Sequence, residues 1–117
     1  MAAELESKYG KITIADDLVA TIAGYAAVEN YGIVGMNAQK AGDAITSLFG
    51  KDSLGKGVKV TVVAPNEVAI DLFVTLEYGV SLPAVAQNAK SNVKYRVEEM
   101  TGLTVRKVNI YVQNIRV

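Results

Sequence analysis

The sequence predicts an α+β fold, a two-layer sandwich in which a small mixed or antiparallel sheet carries two main helices packed on one face. Three observations carry that expectation. Two segments repeat apolar residues at helical spacing, one after Asp16 and one after Ser81. Residues 58–76 alternate with period two around a proline-containing turn. The order is strand, helix, an irregular stretch, hairpin, long helix, strand, and helices with one apolar stripe must cover the apolar face of a sheet.

The elements follow in chain order. Residues 1–8 are polar and acidic and are expected to form a tail, with one domain over residues 9–117. Gly10 to Ile14 alternates, Ile12 and Ile14 against Lys11 and Thr13, as a half-buried strand does. Asp16 is expected to cap the first helix, and Asp17 suits its positive end. Leu18, Val19, Ile22, Ala23 and Ala26 form its apolar stripe, and Gly32 is the stop signal. Ile33–Met36 has the content of a brief strand, and Ala44, Ile45, Leu48 and Phe49 that of short helical turns. Residues 51–57 have loop composition.

Val58, Val60 and Val62 alternate with Lys59, Thr61 and Val63, and Ala64–Glu67 supplies turn chemistry. The return strand sets Val68, Ile70, Leu72, Val74 and Leu76 against Ala69, Asp71, Phe73, Thr75 and Glu77. Tyr78-Gly79-Val80 breaks it. Ser81 caps the second helix, with Pro83 in the first turn, where a missing N–H goes unused. Its apolar face is Leu82, Val85, Ala86, Ala89, Val93, Val97 and Met100, with Gln87, Lys90, Asn92 and Lys94 outward, and Gly102 ends it. The last strand slips phase at Arg106-Lys107, the mark of a bulge or bend.

Composition narrows the chemistry. The chain has 117 residues, half of them hydrophobic, and twelve Lys+Arg balance twelve Asp+Glu. No long-range field draws such a molecule to nucleic acid or anionic lipid. It contains no His and no Cys, which excludes thiol chemistry, disulfides, His-dependent triads and most zinc sites. No signal peptide is visible at Met1–Glu6, and no run nears the roughly 18 apolar residues of a membrane span. A soluble intracellular protein is expected, without direct membrane insertion.

The catalytic candidates are weak. Gly55-Lys56-Gly57 lacks the phosphate-loop spacing and leads into a strand rather than a helix N-terminus. Glu98 and Glu99 are adjacent, about 100° apart on a helix, so one site cannot face both. Glu77 ends a strand, where backbone hydrogen bonding is its ordinary role. No catalytic residue, cofactor or metal site is assigned. Tyr25 and Tyr95 are expected to edge the core with their hydroxyls outward, and Tyr31 and Tyr78 to lid it. Phe73 and Tyr111 differ: with helices on one face only, both stand on the other, among Lys59, Thr61, Thr75, Asn109 and Gln113. Aromatic anchors amid polar neighbours compose a protein-binding patch, and cross-strand pairs on an ordinary solvated sheet look the same in sequence. These seven residues are the candidate partner-binding set.

Two blocks carry a family resemblance. Gly10-Lys11-Ile12-Thr13-Ile14 with the run from Ala26 to Met36 resembles the opening of the alkaline shock protein family of bacterial envelope-stress proteins. Glu77-Tyr78-Gly79-Val80-Ser81-Leu82-Pro83, Val97–Leu103 and Val105 with Val108–Val112 resemble its closing signature. The resemblance runs from about Tyr9 to Val117 and is loose over 37–57. It implies a small, non-enzymatic cytoplasmic protein of Gram-positive bacteria that self-associates and reaches the inner membrane through a membrane-anchoring partner protein. It supplies no catalytic residues; stress-induced members often have longer polar tails, and little beyond the domain is expected here.

The leading expectation is therefore an interaction or scaffold protein. The alternative is a nucleic-acid-associated module stacking bases on the sheet face, with Lys59, Arg106, Lys107 and Arg116 as its cations. An enzyme built around Glu77 or Glu98 ranks third.

Overall fold

A computed structural model describes residues 2–36 and 57–117. Six strands and two helices are built from them: β1 (Ala2–Ser7), β2 (Gly10–Ala15), α1 (Asp16–Val28), β3 (Ile33–Met36), β4 (Val58–Ala64), β5 (Glu67–Glu77), α2 (Leu82–Thr101) and β6 (Thr104–Arg116). The fold is α+β. The expected turns at 44–49 and the loop through 56 lie outside the described residues.

β5 is the axis of the main sheet. β4 pairs antiparallel with its first half, from Glu67 to Leu72, and β3 antiparallel with its last residues, Val74 to Leu76. Both therefore share one edge of β5, end to end. β6 takes the other edge, parallel, from Glu67↔Thr104 to Glu77↔Arg116. A parallel neighbour requires a crossover, and the twenty-residue α2 supplies it. Bulges fall between Val68/Ala69 and between Val74/Thr75 in this pairing; the first leaves Arg106 unmatched, where the phase slip is expected, and the second Gln113.

Alternation along β5 decides the layers. Val68, Ile70, Leu72, Val74 and Leu76 are at most 1% exposed. α1 packs over β3 and β4, α2 over β6, and the two helices on each other. Val19, Ile22, Ala23 and Ala26 of α1 meet Val85, Ala89, Val93 and Val97 of α2 in one core cluster. The alanines let α1 approach closely, since small side chains leave little space between backbones.

Several local expectations are corrected. Residues 2–7, read as a tail, form β1: Ala3 is buried and the Glu4 N–H donates to the Pro65 carbonyl at 2.6 Å. The period of two was present as Ala3 and Leu5 against Glu4 and Glu6, but too short and too acidic to read as a strand. β1 and β2 make a separate two-stranded sheet, with Glu4 bonded to Lys11 at 3.4 Å. Only Ile14 of the expected pair is buried, while Ile12 lies at the surface. Asp16 is the first helical residue rather than the cap; Ala15 holds that position, and both aspartates sit in the first turn. α1 ends at Val28, before Gly32. Ser81 caps α2 as expected, its Oγ accepting from the Ala84 N–H, and Gly102 closes it in the left-handed region.

Candidate functional site

The side of the sheet away from the helices is built in rows by strand register. Lys59 of β4 stands opposite Asp71 of β5, which stands opposite Asn109 of β6. Asn109 Nδ2 donates to Asp71 Oδ1 at 2.9 Å, so this row is hydrogen-bonded across the central strand. Thr61 faces Ala69, itself opposite Lys107. One step along β5, Phe73 faces Tyr111, their ring centroids 5.0 Å apart and nearly parallel at 14°. That offset stack is a favourable arrangement for two quadrupolar rings. Next come Thr75 with Asn114 and Glu77 with Arg116, the last pair an exposed ion pair at 3.7 Å.

Six of the seven candidates therefore share one face: Lys59, Thr61, Phe73, Thr75, Asn109 and Tyr111. Gln113 occupies the second bulge, and Asn114 takes the ladder position beside Thr75 that strict alternation gives to Gln113. A bulge inserts one residue and reverses the alternation beyond it. Asp71 belongs to the same patch and was passed over as a candidate. Its signal was available, because it lies two residues before Phe73 on the same side of β5. Phe73 is half-buried and Tyr111 is 47% exposed, so the stack presents one outer ring to its surroundings among the described residues.

The carboxylates work within the fold. Glu98 Oε2 accepts from the Val105 N–H at 2.9 Å and from Lys94 Nζ at 3.1 Å, joining the end of α2 to the start of β6. The backbone bond, followed by Lys94, holds its pKa below the ordinary 4.5, against an opposing effect of burial. Glu99 accepts from the Tyr95 hydroxyl at 2.7 Å, which raises the Tyr95 pKa. Glu77 meets Arg116 rather than backbone. Among the described residues no three His, Cys, Asp or Glu side chains cluster as a metal site requires.

The helix layer also departs from expectation. Met100 and Leu18 point away from the core, 63% and 52% exposed. Met100 lines a cleft of about 370 Å³ between the helices with Ile22, Tyr25 and the Glu29–Arg96 ion pair. Asn92, expected outward, turns into the seam and donates to the Ala26 carbonyl at 2.8 Å. Tyr31 and Tyr78 are 83% and 72% exposed and lid nothing among the described residues. Glycine beside an aromatic at an element end marks the turn without saying which way the ring swings.

Residues 4–117 match the profile of the alkaline shock protein 23 family, described as having a cell envelope-related function. The chain belongs to that family. Among alkaline shock protein relatives, the uncharacterized protein YloU of Bacillus subtilis (strain 168) is 41% identical over 118 aligned residues, covering 100% of this chain and 98% of its own. The uncharacterized protein YqhY of the same organism is 34% identical, covering 95% and 81%. A Streptococcus pyogenes serotype M3 protein named stress response regulator gls24 homolog is 32% identical over 92% of this chain, which spans 59% of that relative's length. Among solved structures, a histidine-to-alanine variant of MamM-CTD aligns with a TM-score of 0.52 and 10% identity, over 86% of this chain and 98% of that one. That likeness concerns the fold alone. Among the described residues no helix is long and apolar enough to cross a membrane.

Proposed function

We propose that this alkaline shock protein family member is a non-enzymatic interaction module of the envelope stress response. It acts through protein–protein contacts on the Phe73/Tyr111 face, in the cytoplasm, and meets the inner membrane through an anchored protein partner. The observation that carries the reading is the stacked aromatic pair on a face it shares with Lys59, Thr61, Asp71, Thr75 and Asn109. A rigid aromatic anchor ringed by polar groups is the composition of a binding hot spot, because the rings bury large area at little entropic cost while the rim excludes water. The family's envelope-related description and the stress-response name of one relative support the setting.

The same face gives nucleic acid little purchase. Arg106 bridges to Glu67 and Arg116 to Glu77, both at 3.7 Å, so two of its four cations already have acidic neighbours. Fluorescence anisotropy with single-stranded DNA and RNA at low salt, where phosphate attraction is strongest, is expected to stay flat. The test of the main reading is the double variant Phe73→Ala with Tyr111→Ala, compared with the parent in crosslinking and pull-down from cells. Partner capture should drop at least about tenfold with the circular dichroism spectrum unchanged, as truncating two hot-spot aromatics at about 1–2 kcal/mol each implies. Capture that survives in a folded double variant sinks this reading.

A further inference from the structure

The cleft between α1 and α2 lies in the helix layer, across the sheet from the Phe73/Tyr111 face, and the proposed contacts do not use it. The two helices run antiparallel. Gly32, just past α1, lies against Val85 near the start of α2, and Asn92 further along α2 reaches back to Ala26 of α1. Residues earlier in α1 therefore stand beside residues later in α2, and the cleft has two unlike ends. Glu29 and Arg96 form one. Ile22, about two turns before Glu29, and Met100, about one turn beyond Arg96, line the other, with Tyr25 and Ala26 between. At about 370 Å³ the space suits a molecule of amino-acid size.

The polar end is open. Glu29 is the C-cap residue of α1, and the Ala26 and Ala27 carbonyls near it already accept from the side chains of Asn30 and Asn92. The nearby Glu99 carboxylate is held by the Tyr95 hydroxyl. What remains is the ion pair itself. Arg96 Nη2 and Glu29 Oε1 are 3.4 Å apart, longer than the roughly 2.7–2.9 Å of a tight charge-assisted bond, and both side chains are nearly half exposed. Neither makes another polar contact among the described residues. A guanidinium offers five N–H donors and a carboxylate two acceptor oxygens, so most of the capacity of both groups is unused by the fold.

We propose that this cleft binds a free α-amino acid with an apolar side chain. Its carboxylate meets the Arg96 guanidinium, its ammonium meets Glu29, and its side chain lies on Ile22, Ala26 and Met100 beside the Tyr25 ring. Charge complementarity selects this class. A ligand with a carboxylate alone would face Glu29, and one with an amine alone would face Arg96, so each would bring a repulsion that cancels much of its attraction. In an α-amino acid the two opposite charges sit one carbon apart, a spacing that matches the adjacent charges of the pair, and the two dipoles align head to tail. The negative end of α1 adds to the attraction for the ammonium at Glu29. The unbranched Met100 adapts to the shape of the side chain and makes favourable contact with an aromatic one.

The test is an amide NMR titration of isotope-labelled full-length protein with L-leucine and L-phenylalanine to millimolar concentration. Saturable shifts are expected at residues 21–29 and 96–100. Isocaproate, which is leucine without the amine, and isoamylamine, which is leucine without the carboxylate, should each bind at least about tenfold more weakly, as should glycine, which has the charged head and no side chain. Arg96→Gln and Glu29→Gln should each weaken leucine binding at least about tenfold, and both should fold as the parent does, since an exposed ion pair contributes little stability. The analogue series uses the parent chain and so decides the matter even if a variant is damaged. No saturable shift with either amino acid overturns the proposal, meaning that the chain itself or a protein partner covers the cleft. Isocaproate or isoamylamine binding as well as leucine overturns it too, as does leucine binding undiminished in a folded Arg96→Gln or Glu29→Gln variant. Phe73→Ala should leave leucine binding unchanged while reducing partner capture, so the cleft and the proposed binding face fail separately.

Discussion

Glu98 shows how one side chain ties two elements together. Its carboxylate receives the Val105 N–H just after the α2–β6 turn, and Lys94 from one helical turn back. Both bonds favour the ionised form, so the folded-state pKa lies below the ordinary 4.5. A carboxyl with a depressed folded pKa contributes stability that is complete above its unfolded value and lost as pH falls through the folded one. Thermal melts of the parent should therefore decline below about pH 4.5. Glu98→Gln should melt lower at neutral pH and decline less steeply in acid. Parallel curves for the two proteins would mean the carboxylate is not coupled to folding. Other residues show where sequence reasoning stops. Adjacent Glu98 and Glu99 read as surface solvation, because nothing local indicates that Val105 will arrive overhead. Asn92 read as outward for the same reason, since its acceptor at Ala26 is 66 residues away.

At the scale of elements, alternation and caps were legible because their causes are local. The five inward residues of β5, the Ser81 cap, the Gly102 stop and the β6 phase slip follow from side-chain direction and backbone freedom within a few residues. The turn between α1 and β3 was legible only in part. Gly32 read as a flexible stop, and its φ of 97° requires the left-handed region. A Cβ there would also stand 2.9 Å from Val85 Cγ2 of α2, whereas one on Gly79, with φ 95°, would meet nothing within 4 Å among the described residues. Gly79→Ala should thus cost roughly 1 kcal/mol from backbone strain alone, and Gly32→Ala about 2 kcal/mol or more. Urea denaturation measures both. Equal losses would show that the α2 contact yields freely. The Gln113 bulge left the same kind of mark, since Val112 and Ile115 stand three residues apart as Val105 and Val108 do, but that second slip was not read from the sequence.

For the whole molecule, the N-terminal hairpin closes the structure around the β4–β5 turn. Ala3 enters the common core, Leu5 packs against it, and the Glu4 N–H reaches Pro65. Removing residues 2–7 should lower the melting temperature by roughly 5–10 °C, the scale expected for losing one or two kcal/mol of burial and hydrogen bonding. A truncated chain that melts like the parent would make β1 an ornament of the fold.

Sequence alone was enough for the α+β class, the helix-facing side of β5, the two helices and the sharing of one face by Phe73 and Tyr111. Each rests on a periodicity that the chain carries with it, two residues for strands and 3.6 for helices. Tertiary structure decided that β3 and β4 share one edge of β5, that β6 runs parallel on the other, and that Met100 and Leu18 turn outward. It also decided that Asp71 and Asn109 bond across the patch. Strand order and side-chain partners depend on residues far apart in sequence meeting in space, and no local pattern encodes which of several compatible edges a strand will take.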